Sequence, residues 1–298
     1  MKSYFCFNRI LAVVLVLVTV ATIFFACSKN NEAGPESDQN DNEALTAAAY
    51  EAQISTLYDD LFDVALEASQ TQGLGSKNGR VVPQDPQALK LGNCYDPQVD
   101  DVTIDKWPKT LTLNFGSGCT GVDGRVRSGT LVLVLSGYIF IPGTTVTITS
   151  QNYAINGIQL KGTKTLVNQS TANGFKYSSK VVGGIVAIDS LDLTFNYTSD
   201  KTITQTKGAA TPFDASDDEY SGTGTATLSY GTTSVSYTVK EPLIKAVSCP
   251  WIGGGKAEIS LGTTNASAKA TIDYGLGLCD DSVTIIMGDK MKGAILPR

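Results

Sequence analysis

Thr110-Leu111-Thr112-Leu113-Asn114-Phe115-Gly116-Ser117-Gly118-Cys119 decides how this chain is read. Apolar Leu111, Leu113 and Phe115 alternate with polar neighbours, which separates an apolar from a polar face only if the backbone is extended. The run then breaks at an aromatic-Gly-x-Gly corner and ends in a cysteine. The same arrangement returns as Thr271-Ile272-Asp273-Tyr274-Gly275-Leu276-Gly277-Leu278-Cys279, with one residue inserted. Each copy has another cysteine upstream, Cys94 in the first and Cys249 in the second. The repeat makes Cys94–Cys119 and Cys249–Cys279 equivalent, so of the pairings open to four cysteines this one is expected.

Outward from that strand the period of two persists. Val146 and Ile148 alternate with threonines; Leu191, Leu193, Phe195 and Tyr197 with Asp192, Thr194 and Asn196; Val235, Tyr237 and Val239 with Ser236 and Thr238. Leu131–Leu135 (LVLVL) is apolar on both faces and is expected to lie centrally in a sheet. Turn signals at Asn156-Gly157, Ser199-Asp200, Tyr230-Gly231 and Gly253-Gly254-Gly255 leave no room for helical crossovers. The expectation for residues 90–298 is therefore a mainly β domain of roughly a dozen strands. These form an antiparallel meander, as a sandwich or a strongly curved sheet, with two disulfide-stapled repeat units.

Before the strands, residues 43–72 place Leu45, Ala49, Ile54, Leu57, Tyr58, Leu61, Phe62, Ala65 and Leu66 at helical spacing. Asn40 with Glu43 makes a capping pair, and Gly73 and Gly75 end the helix. Asp59, Asp60 and Asp63 read as the solvated face of this N-terminal amphipathic helix rather than as a metal cluster.

The chain has 298 residues and no histidine, which removes Ser-His-Asp and Cys-His catalysis and His-ligated zinc or haem. Its formal charge of −6 is uneven: residues 28–72 carry ten acids against Lys29, while from residue 73 onward twenty bases meet nineteen acids. No basic stripe interleaved with aromatics occurs, so no nucleic-acid partner is expected. Ile10–Ala26 is almost wholly apolar behind Lys2 and Arg9, and Phe24-Phe25-Ala26-Cys27 is similar to a lipobox. That likeness implies a lipoprotein signal peptide over 1–26, lipidation of Cys27, and a flexible tether over 27–42. The membrane, reached through the N-terminal lipid, is then the one partner the chain names, and the address is the outer membrane, on its periplasmic or cell-surface face.

Several longer segments carry a wider resemblance. Asp59-Asp60-Leu61-Phe62-Asp63-Val64 is one, and Trp107-Pro108-Lys109-Thr110 running into Asn114 to Gly121 is another. Asp123-Gly124-Arg125, Arg127-Ser128-Gly129, Pro142-Gly143, Asn156-Gly157-Ile158, Gly162-Thr163-Lys164-Thr165, Asp273-Tyr274-Gly275 and Cys279-Asp280 complete the set. In these the chain resembles the uncharacterised cell-envelope lipoproteins of Bacteroidota. The resemblance implies an envelope location and a shared fold, and no activity. Asp189-Ser190-Leu191 and Asp281-Ser282-Val283 match the O-glycosylation acceptor pattern of that group, which makes Ser190 and Ser282 candidate sites.

Chemistry is thinly represented. No catalytic constellation, metal site or cofactor is expected. The acids Asp214, Asp217, Asp218 and Glu219 lack EF-hand spacing and read as a solvated turn, with Ca²⁺ binding as the alternative. Asp189 and Asp192 are the carboxylates a His-free glycosidase would use. Trp107 and Trp251 are the only tryptophans, read as core or disulfide cover rather than as a sugar platform. The leading expectation is a non-catalytic, lipid-anchored envelope protein that binds or scaffolds. The alternatives are a carrier of an amphipathic or lipid ligand on a curved sheet, and a carbohydrate-active or carbohydrate-binding lipoprotein.

Overall fold

The computed structural model describes residues 35–76, 90–103, 105–172, 174–188, 192–211, 217–262 and 267–296. The chain divides into two units, Met1–Asp38 and Gln39–Arg298, and apart from the first helical residues everything below concerns the second. A helix, α1 (Pro35–Thr71), precedes fourteen strands. They are β1 (Asp96–Val99), β2 (Lys109–Asn114), β3 (Cys119–Thr120), β4 (Val126–Leu135), β5 (Thr145–Ile155), β6 (Ile158–Asn168) and β7 (Lys176–Ile188). Then come β8 (Leu193–Lys207), β9 (Glu219–Tyr230), β10 (Thr233–Ala246), β11 (Gly254–Gly262), β12 (Ser267–Leu276), β13 (Ser282–Met287) and β14 (Lys290–Ile295).

All the strands belong to one sheet in chain order from β1 to β14, with β3 set off the path beside β4. Every pairing among the described strands is antiparallel, and their unbroken order makes the meander one continuous sheet. It is not closed into a barrel. Hairpins join neighbours tightly: Ile155 faces Ile158 across Asn156-Gly157, with φ of 51° and 81°, the two left-handed residues a type I′ turn demands.

The curvature comes from bulges. Register shifts interrupt β4/β5 at Ser128/Thr130, β6/β7 at Lys161/Thr163, β7/β8 at Val181/Gly184 and β11/β12 at Gly254/Lys256. Such bulges bend a strand and increase its twist. At Gly162 the backbone has φ of 112°, and a Cβ there would stand 2.7 Å from the Gly183 carbonyl oxygen. Only glycine fits that bend.

The helix lies in the curve, and it is not amphipathic. Ala44, Ala47, Ala48, Ala52, Ile54, Leu57, Leu61, Phe62, Val64, Ala65 and Ala68 are buried, and so are Glu51, Ser55, Thr56, Asp60 and Ser69. Taken at 100° per residue these positions surround the helix, because strands from β4 to β14 touch it on different sides. Tyr58 donates to the carbonyl of Lys161 on β6 (2.8 Å) and stacks on Tyr197 of β8 at 4.8 Å. Gln53 donates to Ile295 on β14. At Gly184 the helix comes so near that a Cβ would meet the Tyr58 hydroxyl at 2.7 Å.

Several expectations need correction. The helix begins at Pro35, so residues 35–42 are helical rather than tether; a proline at the first helical position loses no bond, since that N–H has no partner in any helix. Its far end is as expected: Gly73, at φ of 72°, closes a Schellman motif in which Leu74 N donates to Ser69 O (2.7 Å) and Gly73 N to Gln70 O (3.1 Å). Ser199-Asp200 is no turn but the middle of β8, and Gly254 and Gly255 open β11. LVLVL forms part of β4, close to one edge of the sheet, and Val134 on its outer face is exposed. Asp60 is buried and Asp59 and Asp63 are mostly covered, with side chains 22% and 19% exposed; all three are contacts of the helix to the sheet.

Candidate functional site

A polar stripe runs along α1 at Glu51, Ser55, Asp59, Asp63 and Glu67, every fourth residue, with Asp60 beside it. The sheet answers it with inward-pointing bases. Arg127 Nη2 donates to Asp60 Oδ1 (2.7 Å) and its Nε to Oδ2 (3.2 Å), while Arg125 Nη1 meets Oδ1 from the next inward position. Asp123 completes the group, accepting from Arg127 Nη1 and Nη2 at 3.0 and 2.7 Å. These side chains are at most 4% exposed. Burial pushes the Asp60 carboxyl up, but Arg127 and then Arg125 outweigh it and hold it at about 2.

The rest of the stripe is served by lysines. Lys201 donates to Asp59 (2.8 and 3.1 Å) and to Ser55 Oγ (2.7 Å), which uses all three of its N–H bonds. Lys164 donates to the Tyr58 carbonyl at 2.8 Å and stands 3.9 Å from Asp59. Asp63 takes both Lys245 (2.6 Å) and Lys90. Glu67 accepts from the backbone N–H groups of Lys90 (2.6 Å) and Leu91 (3.0 Å). Burial lowers Lys90 and Lys164 to about 8 against the pull of Asp63 and Asp59 respectively. Asp63 is held well below the carboxylate range because Lys245 and Lys90 overcome its burial.

Next to these ion pairs, between α1 and strands β8–β10, is a cavity of about 160 Å³. Phe62, Leu66, Phe140, Ile203, Leu243 and Val247 supply its apolar walls, and Asp63, Lys90 and Lys245 one polar side. Gly222 on β9 contributes no side chain, which leaves the space open opposite Leu243. Apolar cavities of roughly this size hold a benzene-sized molecule. The charged groups beside it are engaged with one another, Asp63 with Lys90 and Lys245 and Asp59 with Lys201.

The two expected disulfides are present. Cys94–Cys119 and Cys249–Cys279 have Cα separations of 5.4 and 5.7 Å, within the usual range. The repeat has matching geometry: Gly116 N donates to Asn114 Oδ1 and Gly275 N to Asp273 Oδ1, both at 2.9 Å, while Phe115 and Tyr274 are buried.

Other predicted positions are less informative. Cys27, Ser190, Asp189 and Asp214 lie outside the described residues. Ser282 is exposed on β13 and donates to Asp280 Oδ1. Asp192 is an exposed residue at φ of 51° just before β8. Asp217, Asp218 and Glu219 each bond a protein group (Thr211, Gln205 and Lys207), and no set of three or more acids or cysteines among the described residues could hold a metal ion. Trp251 is buried; Trp107 is half-buried against Tyr138. Among the described residues no helix is long and apolar enough to cross a membrane.

Sequence reasoning missed the bases that meet the helix. Their signal was phase: Arg125 and Arg127 share the odd positions of Leu131, Leu133 and Leu135, Lys201 those of Phe195 and Tyr197, and Lys164 the even positions of Leu160 and Leu166. A charge on the inward phase of a strand asks for a buried partner.

Fold and site together define a class: a mainly β protein in which one curved antiparallel sheet encloses a charged helix and leaves a small apolar cavity beside it. The chain matches no protein-family model, no curated protein and no solved structure.

Proposed function

We propose that this chain is a non-catalytic envelope lipoprotein, anchored in the outer membrane through Cys27, whose body binds a small apolar or amphipathic molecule in the cavity between α1 and β8–β10. The observation that carries the reading is that cavity: its walls are aromatic and aliphatic, and its charged neighbours are already paired. Two disulfides in the body suit an oxidising compartment, and the lipobox-like Phe24-Phe25-Ala26-Cys27 supplies the anchor.

The test uses soluble protein lacking residues before Ser28 and toluene as the ligand, followed by titration calorimetry. Saturable binding is expected, weakened at least tenfold by Gly222→Phe, which fills the cavity opposite Leu243. Equal binding by both proteins, or by neither, refutes the cavity as the site. The anchor is tested separately by the mass of the mature N-terminal peptide, where an unmodified Cys27 thiol refutes it.

A further inference from the structure

One buried group is left out of the ion pairs. Glu51 is 0% exposed, and neither of its carboxyl oxygens has a hydrogen-bond partner. The hydroxyls of Tyr197 on β8, Tyr237 on β10 and Tyr274 on β12 are also buried without an ordinary hydrogen bond. These are neighbours: Glu51 acts electrostatically on all three, and the Tyr237 and Tyr274 hydroxyls stand close enough to affect each other. A carboxyl and three phenols thus share one patch of the interior.

We propose that this patch is an internal proton site: Glu51 is seated as a neutral carboxylic acid among the three tyrosine hydroxyls, and losing its proton loosens α1 within the sheet. The groups that act on Glu51, or on which it acts, favour this arrangement. From its own helix come Ser55 and the anionic Asp59, from β8 Tyr197 and Lys201, from β10 Tyr237 and from β12 Tyr274. Lys201 is the one cation among them, and Asp59 and Ser55 occupy its three N–H bonds. A carboxylate here would have neither counterion nor hydrogen bonds in a dry interior, the costliest state for that group. A neutral carboxylic acid avoids the cost of a bare buried charge.

Burial drives the Glu51 carboxyl up to about 8, with Lys201 opposing and Asp59 assisting. The three phenols are raised as well, foremost by burial, so they keep their protons throughout.

The test is the carboxyl ¹³C resonance of glutamate-labelled protein, followed with pH. One signal, assigned to Glu51 by its absence from Glu51→Gln, is expected to keep its protonated position at pH 6 and move only above pH 7. The urea midpoint of the native protein should fall relative to that of Glu51→Gln between pH 6 and pH 8, a comparison in which the contributions of Lys90 and Lys164 cancel. A Glu51 signal that titrates in the ordinary carboxylate range, or an equal fall in both proteins, overturns the proposal. Should Glu51→Gln not fold, Glu67→Gln decides, because burial raises the Glu67 carboxyl too: a glutamate carboxyl still protonated at pH 6.5 in that variant supports the proposal, and none refutes it.

Discussion

Replacing Asp60 by asparagine keeps the shape of the side chain and removes the charge on which two buried guanidiniums converge. In the native protein Asp60 and Asp123 face Arg125 and Arg127, two anions for two cations, all almost without solvent. In Asp60→Asn a single carboxylate, Asp123, is left for both. Removing one partner of a buried ion pair costs about 3–5 kcal/mol, because the remaining charge stays desolvated. The pH dependence gives a second, independent magnitude. Asp60 is lowered from 3.8 to about 2, so its contribution is complete above pH 3.8 and is lost as pH falls through about 2. That gap corresponds to roughly 2–3 kcal/mol at about 1.4 kcal/mol per pH unit. Urea unfolding followed by the fluorescence of buried Trp251 reads both quantities. Asp60→Asn should lose about 3–5 kcal/mol at pH 7, and its deficit against the native protein should narrow towards pH 2. A loss under about 1 kcal/mol, the range of exposed pairs, or a deficit independent of pH, would refute the buried network.

Two further predictions follow from the sheet. Gly162→Ala places a Cβ against the Gly183 carbonyl at a positive φ and should cost about 1–3 kcal/mol by urea unfolding, whereas Gly157→Ala, with open space around it, should cost less. Removing either disulfide by paired Cys→Ala replacement frees a loop of 25 or 30 residues, which should lower stability by about 3.5 kcal/mol on the chain-entropy model. A midpoint unchanged by reductant would contradict that.

The buried stripe on α1 also explains how a helix covered on every side finds one orientation. Apolar residues alone would let it rotate in the curve, because alanines and leucines occur all round it. Turning it by one residue, 100°, would carry Asp60 away from both arginines and set it against apolar side chains. The ion pairs thus act mainly by excluding alternatives, and the stacking of Tyr58 on Tyr197 reinforces the same orientation.

The segments that carried the sequence reading meet in space. Asp59-Asp60-Leu61-Phe62-Asp63-Val64 packs on Asp123-Gly124-Arg125 and Arg127-Ser128-Gly129 through the Asp60 pairs. What could be read beforehand was local. Alternation at Leu111–Phe115 and Val235–Val239 is a property of neighbours in the chain, and so are the Asn156-Gly157 turn and the glycine that ends the helix. The cysteine pairs were legible because the repeat supplied the comparison within one sequence.

Burial was not legible, since it depends on what the sheet encloses. Asp59, Asp60 and Asp63 look the same on a solvated helix as on an enclosed one, and only the bulges that bend β4 through β11 decide which it is. From its own residues the chain determined that its body would be extended, antiparallel, stapled twice and preceded by a helix. The tertiary structure alone decided that the sheet would curl around that helix, which turned a row of acids into buried ion pairs and left an apolar space beside them, because enclosure is set by contacts between residues far apart in the chain.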